Sequence, residues 1–128
     1  MVIDSSAVMA IVFIEPDALH YYNKIVSTNV RLLSAATLVE TSLVVMRRRS
    51  PGGLAVLDDL IKRLKIEVIS VDEEQAILAR EAFRRFGKGR HRACLNYGDC
   101  FSYALAKQTG LPLLFKGNDF SETDLESA

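Results

Sequence analysis

Four short apolar runs are spaced along the chain, and helical patterns fill the gaps between them. The runs are Met1-Val2-Ile3, Arg31-Leu32-Leu33-Ser34, Ile66-Glu67-Val68-Ile69-Ser70-Val71 and Leu111-Pro112-Leu113-Leu114-Phe115. Each is too short for a stable helix, and the third alternates and is rich in β-branched residues, so all four read as strands. Strands alternating with helices predict a mostly parallel sheet covered by helices on both faces. The near-continuous apolarity of the runs suits strands buried on both sides. The expected fold is α/β, a three-layer α/β/α sandwich with four or five short strands, in a single domain over residues 1–128. Right-handed crossovers then bring the strand ends that lead into helices to one edge of the sheet.

The helices follow from apolar periodicity and end signals. Ser5 or Ser6 can cap a short helix carrying Ala7, Val8, Ile11 and Val12, and Glu15-Pro16-Asp17 breaks it. A second helix is predicted over 18–28, a third over 35–49 and a fourth over 54–64. Asp72 and Gln75 form a capping-box variant opening a fifth helix with Ala79, Ala82, Phe83 and Phe86 on one face. The last begins at Asn96-Tyr97-Gly98-Asp99, carries Phe101, Ala104 and Leu105 on its apolar face, and stops at Gly110 before Pro112. Asp99 therefore falls in a first turn, where free N–H groups and the helix dipole favour negative charge.

Composition removes several classes. With 128 residues, 49% of them hydrophobic, the chain is long enough for one real core. No run approaches the roughly 20 apolar residues of a membrane span. The opening Met1-Val2-Ile3-Asp4 lacks a basic n-region, so no signal peptide and a cytoplasmic location are expected. Cys94 and Cys100 make no disulfide framework and suit a reducing compartment. With His20 and His91 so far apart in sequence, a zinc site is not expected. The net charge is zero, yet residues 47–92 hold twelve Lys/Arg against seven Asp/Glu, while both ends of the chain are acidic.

Ligand sites in open α/β sheets lie beyond the carboxyl ends of the strands. Asp4 directly follows strand one, Glu40 lies in the helix after strand two, and Asp119 directly follows strand four. Asp99 joins them if its helix packs antiparallel to the strand that it precedes. Carboxylates gathered this closely cannot all ionise without a cation. A hard divalent ion such as Mg²⁺ or Mn²⁺ takes oxygen ligands and keeps several waters. The implied chemistry is metal-assisted hydrolysis of a phosphodiester. Each acid also has a purely local use. Asp4 can be an Asx cap, Thr37 and Glu40 can form a capping box, and Asp119 can belong to a Gly-Asn-Asp turn.

Taken together, these residues resemble the PIN-domain family, and within it the VapC toxins of bacterial toxin–antitoxin pairs. The resemblance rests on Val2-Ile3-Asp4-Ser5-Ser6-Ala7, Leu38-Val39-Glu40-Thr41, the stretch from Leu95 to Ala106 containing Asn96-Tyr97-Gly98-Asp99, and the ending Leu113-Leu114-Phe115-Lys116-Gly117-Asn118-Asp119-Phe120 with Thr123-Asp124. It implies a PIN-like sandwich and a Mg²⁺- or Mn²⁺-dependent endoribonuclease. Asp4, Glu40, Asp99 and Asp119 would be the catalytic acids. Asp4 and Asp99 would be direct metal ligands, Glu40 would orient a water or the outer shell of the metal, and Ser6 would hydrogen-bond the metal water or Asp4. Gly117 and Asn118 stand where many members carry an acid, so the fourth position departs from the pattern. The resemblance also implies a homodimer and a VapB-type antitoxin that fills the acidic groove with an Arg or Lys. DNA would be reached only through that antitoxin.

RNA needs positive charge beside the acids. Arg84, Arg85, Lys88, Arg90, His91 and Arg92 lead directly to Asp99 and are the candidate phosphate contacts. A solvated helix face is the plain alternative. Arg47-Arg48-Arg49 reads as complementing a helix C-terminus. Three other functions compete. A PIN-like binding module with an inactive metal site would keep the fold. A DNA-directed nuclease would use the same backbone contacts. A phospho-acceptor receiver domain lacks its acidic pair after strand one.

Overall fold

The computed structural model describes residues 1–49 and 51–128. In chain order its elements are β1 (Val2–Ile3), α1 (Ser5–Val12), α2 (Ala18–Val26), β2 (Leu32–Ser34), α3 (Ala35–Arg48), α4 (Gly53–Arg63), β3 (Glu67–Ile69), α5 (Glu73–Phe86), α6 (Tyr97–Thr109) and β4 (Leu113–Leu114). The four strands form one sheet in the order β3-β2-β1-β4, and every pairing is parallel. Val2 is in register with both Leu32 and Leu113, and β2 also pairs with β3, so β1 and β2 lie at the centre of the sheet. The C-terminal tail lies along β4, with Leu113 N–H donating to the Glu126 carbonyl and Ala128 N–H to the Leu113 carbonyl.

The strand pleat builds the three layers. Ile3, Leu33 and Leu114 point into one core with Val8, Ile25, Val45 and Leu57. Their neighbours Val2, Leu32 and Leu113 point into the other, with Ala82, Phe86, Tyr103 and Leu105. Successive strand side chains face opposite ways, so apolar dipeptides feed both cores at once. Each fully buried leucine contributes about 1.5–3 kcal/mol of transfer free energy.

Helix α6 is buried on nearly all sides, because it packs on α5 and α3 as well as on the sheet. Its start is fixed by a reciprocal cap. The Asn96 side chain accepts from Asp99 N–H at 3.0 Å, and Asp99 accepts from Asn96 N–H at 2.8 Å. Its end is fixed by Gly110 at φ +66°, a left-handed conformation that suits glycine.

The structure revises several local expectations. The α1 cap is Asp4, not Ser5 or Ser6: Asp4 leaves β1 with extended backbone and accepts from Ser6 N–H. Ser34 caps α3, so Thr37 and Glu40 form no capping box. Gln75 gives its backbone N–H to Asp72, but its side chain turns to Ser70 and Gln108 instead of closing the box. The third strand covers only Glu67–Ile69 and lies at the sheet edge, where Val68 is exposed. Flanking residues of that apolar run lack a second neighbour to pair with, so the strand is shorter than its composition suggests. Helix α2 stops at Val26, and α4 begins one residue early at Gly53.

Candidate active site

Asp4 stands where β1 ends and is only 2% exposed. Its Oδ2 accepts two bonds from Ser6, from the hydroxyl at 2.6 Å and from the N–H at 2.9 Å. The Ser6 hydroxyl in turn accepts from Lys116 N–H at 2.9 Å, just past β4. Ser6 therefore binds Asp4 and ties two strand ends together. The other Asp4 oxygen, Oδ1, accepts from the Ser102 hydroxyl at 2.7 Å.

Asp99 lies in the first turn of α6 and is 6% exposed. Helix α6 runs back towards β4, so its start reaches the same edge as Asp4, as the connectivity argument required. Glu40, on α3, completes the group. A Cβ built on Gly98 would stand 2.3 Å from Glu40 Oε1 and 2.4 Å from Oε2. The carboxylate thus lies against the bare backbone at the start of α6, and a side chain there would displace it. Glu40 Oε2 is buried without a hydrogen-bond partner among the described residues. Asp119, beyond β4, is exposed.

The carboxylates lie within reach of one another's charge. Burial pushes Asp99 up to about 7, the bond from Asn96 opposes this, and the charges of Asp4, Asp119 and Glu40 add to the rise. Burial also raises Glu40, followed by the charge of Asp4, with Ser5 beside it acting the other way. Among the described residues no Lys or Arg pairs with any of the four acids. Lys116 is close along the chain, but its ammonium is taken by Glu15 and, at 2.7 Å, by Asp17. The site therefore concentrates negative charge with no paired cation among the described residues. Cys100 offers no rival nucleophile, since burial and then Asp99 push its thiol up to about 11.

An oxygen-only donor set with a partnerless buried carboxylate oxygen fits a hard divalent cation. Among the described residues no three His, Cys, Asp or Glu side chains converge into a ready-made cage. The fit is to an ion held by one or two carboxylates with water completing its shell, which is the habit of Mg²⁺.

The basic stretch is less uniform than its sequence. Arg84 pairs with Glu81 at 2.6 Å, Arg85 with Asp124 at 3.1 Å, and Arg92 with Glu122. His91 is turned inward, its Nδ1 accepting from Ala93 N–H. Lys88 pairs with no acid among the described residues, and Arg90 sits over the Phe83 ring. An apolar groove of about 1000 Å³ runs beside this stretch, lined in part by Ile77, Phe83, Arg84, Arg90, Tyr97 and Phe101; none of the four acids lines it. Of the triple arginine, Arg48 sits over the Phe13 ring and Arg49 donates to the Val12 carbonyl, so packing uses them as well as the helix dipole.

Sequence reasoning missed Ser102 and Thr37. Both are fully buried, and their hydroxyls are 3.1 Å apart. One signal was available: Ser102 is three residues after Asp99, hence on the same helical face, and is polar within an otherwise apolar stretch.

A model of the PIN-domain family matches residues 1–126. The chain is 49% identical over 125 residues to a VapC ribonuclease of Mycobacterium bovis, covering 98% of this chain and 95% of that protein. It is 50% identical over 125 residues to ribonuclease VapC of Mycolicibacterium smegmatis, covering 98% and 97%. Among solved structures it is similar to the sarcin–ricin-loop-cleaving toxin VapC20 of Mycobacterium tuberculosis, with a TM-score of 0.81, 18% identity and coverage of 99% and 97%. It is also similar to VapBC2 of Rickettsia felis bound to a promoter DNA fragment, with a TM-score of 0.76, 17% identity and coverage of 99% and 96%. At such identities the two structures bear on the fold alone.

Proposed function

The chain belongs to the PIN-domain family, among the VapC ribonucleases, and on that premise we propose that it is a metal-dependent endoribonuclease, the toxin of a toxin–antitoxin pair. The observation that carries this reading is that Asp4, Glu40 and Asp99 stand near enough for their charges to act on one another, while among the described residues no Lys or Arg pairs with them. Asp4 and Asp99 would hold Mg²⁺ or Mn²⁺. When bound, such an ion polarises a phosphoryl oxygen and lowers the pKa of a coordinated water.

The chain's own residues do the rest. Ser6 and Ser102 hold Asp4 in one orientation. Asp99 is anchored at Oδ2 by Asn96 N–H, and the burial and neighbouring carboxylates that disfavour its charge in the metal-free chain are what a bound cation would offset. Glu40, whose Oε2 has no hydrogen-bond partner among the described residues, would orient a water or the outer shell of the metal. That water's oxygen bonds to phosphorus as one ester P–O bond breaks, the water losing one proton to solvent and the departing ester oxygen taking one up from it. Asp119 adds charge at the rim. Arg84, Arg85, Lys88, Arg90 and Arg92 guide the RNA backbone, with Lys88 and Arg90 the most available.

An antitoxin of the VapB type would supply the missing cation, placing an Arg or Lys into the acids. The structural neighbour VapBC2 of Rickettsia felis is bound to a DNA fragment from its promoter, and a pairing of that kind is proposed here, with DNA reached through the partner. A homodimer and a cytoplasmic site of action complete the proposal.

The test is cleavage of structured and single-stranded RNA by the purified chain, with Mg²⁺ or Mn²⁺ against EDTA, beside Asp99→Asn. Metal-dependent cleavage that disappears in the folded variant is expected. Cleavage that survives in EDTA or in the variant would refute the site.

A further inference from the structure

We propose that Ser102, backed by Thr37, is a positioning residue that aims Asp4 and leaves Oδ1 as the Asp4 oxygen able to ligate a divalent cation. The inference rests on the reading of the acids as a metal site, and it concerns two residues that lie outside the acidic group.

Lone pairs decide the matter. A carboxylate oxygen has two acceptor positions. Asp4 Oδ2 uses both, one for the Ser6 hydroxyl and one for the Ser6 N–H. Oδ1 uses one, for the Ser102 hydroxyl, and keeps the other open. Asp4 is thus prepared to offer a single oxygen.

The direction of the chain of hydroxyls is also determined. Ser102 has one hydroxyl proton, and it is committed to Asp4. In the 3.1 Å contact between Ser102 Oγ and Thr37 Oγ1, Thr37 must therefore be the donor. The relay runs from Thr37 to Ser102 to Asp4, and both hydroxyls are shut off from water. No solvent molecule can take their place. It also crosses three elements, α3, α6 and the end of β1, so it locks the carboxylate to the two helices that carry Glu40 and Asp99. Hydrogen bonds of this kind behind a ligand are worth roughly 10–100-fold in metal affinity.

The test is Mn²⁺ binding by calorimetry on the full chain, with thermal unfolding to verify the fold. Wild type, Asp4→Asn, Ser102→Ala, Thr37→Val and Thr37→Ser are compared. Thr37→Val keeps the volume and loses the donor, whereas Thr37→Ser keeps the donor. Wild type should bind, and Asp4→Asn should lose binding. Ser102→Ala should bind about 10–100-fold more weakly. Thr37→Val should weaken binding in the same direction by less, and Thr37→Ser should match wild type. A folded Ser102→Ala with wild-type affinity overturns the proposal while leaving the metal site intact. If Ser102→Ala does not fold, equal affinities of Thr37→Val and Thr37→Ser overturn it instead. Wild type that binds no Mn²⁺ overturns the metal reading itself.

Discussion

The Glu40 carboxylate lies against Gly98 so closely that a single added methyl would stand 2.3 Å from its Oε1. The neighbour that would have to move is the far end of a flexible side chain, so the fold can accommodate the change but the site cannot. Gly98→Ala is expected to melt near the wild-type temperature. Its RNA cleavage should fall steeply, since a displacement of about 1 Å at a reacting group can cost about 100-fold. Thermal unfolding and single-turnover cleavage, measured together, check this. Wild-type cleavage by the variant would mean that Glu40 has no fixed role.

Asp99 gives the metal-free chain a stability that depends on pH. Its carboxyl is pushed up to about 7 in the folded chain, first by burial, from an ordinary value of 3.8. Between those values the folded state keeps a proton that the unfolded state has released, so stability falls as pH rises. The loss is absent below about pH 4, complete above about pH 8, and bounded at roughly 4 kcal/mol. Glu40, also raised, acts with the same sign. Asp99→Asn keeps an acceptor for Asn96 N–H and discards the charge. In EDTA it should be more stable than wild type by about 1–4 kcal/mol at pH 8 and close to it at pH 4. Urea unfolding at the two pH values decides, and an unchanged pH slope in the variant would contradict the assignment.

Ser6 is a hinge point of the site's hydrogen bonding. Ser6→Ala removes the hydroxyl from Asp4 Oδ2 and leaves Lys116 N–H without its acceptor. A lost partner of this kind costs about 1–3 kcal/mol. The variant should unfold at lower urea concentration and should also bind Mn²⁺ more weakly, because Asp4 loses one of its restraints. Reduced stability with unchanged Mn²⁺ affinity would confine Ser6 to a structural role.

Lys88 and Arg90 differ from their neighbours in having no acidic partner among the described residues. If they contact RNA phosphates, Lys88→Ala with Arg90→Ala should weaken binding of an uncleavable RNA across sequences. The slope of log affinity against log salt should fall by about 1.4 for two single-strand contacts. Arg84→Ala and Arg92→Ala, whose charges are already matched by Glu81 and Glu122, should change it less. Equal slopes for all variants would place the RNA elsewhere.

Much of this was visible in the amino-acid order. Apolar dipeptides separated by amphipathic segments specify parallel strands and covering helices, because both periodicities are local. The same order places Asp4 directly after a strand and Asn96, Gly98 and Asp99 at a helix start, whereas Asp119, expected directly after strand four, stands five residues beyond the end of β4 in an exposed turn. Three things were not visible. A capping box at Thr37 and Glu40 satisfies the sequence rule, yet Ser34 is one turn earlier and takes the cap, freeing Thr37 for the interior. The arginines from 84 to 92 look alike in sequence, but Glu81, Asp124 and Glu122 neutralise three of them, two of these acids arriving from the C-terminal tail. The place of the third strand at the edge of the sheet was the last, since strand order is a property of the whole sheet.

The sequence by itself determined the elements, the layers and the candidate acids, because burial patterns and end signals act over a few residues. Only the tertiary structure decided which groups meet. Ser102 and Asp4 are 98 positions apart, and no periodicity foretells their 2.7 Å contact. The elevation of Asp99 likewise belongs to no single stretch. It requires a low-dielectric interior and three other carboxylates carried by different segments, and both exist only once the chain has closed on itself.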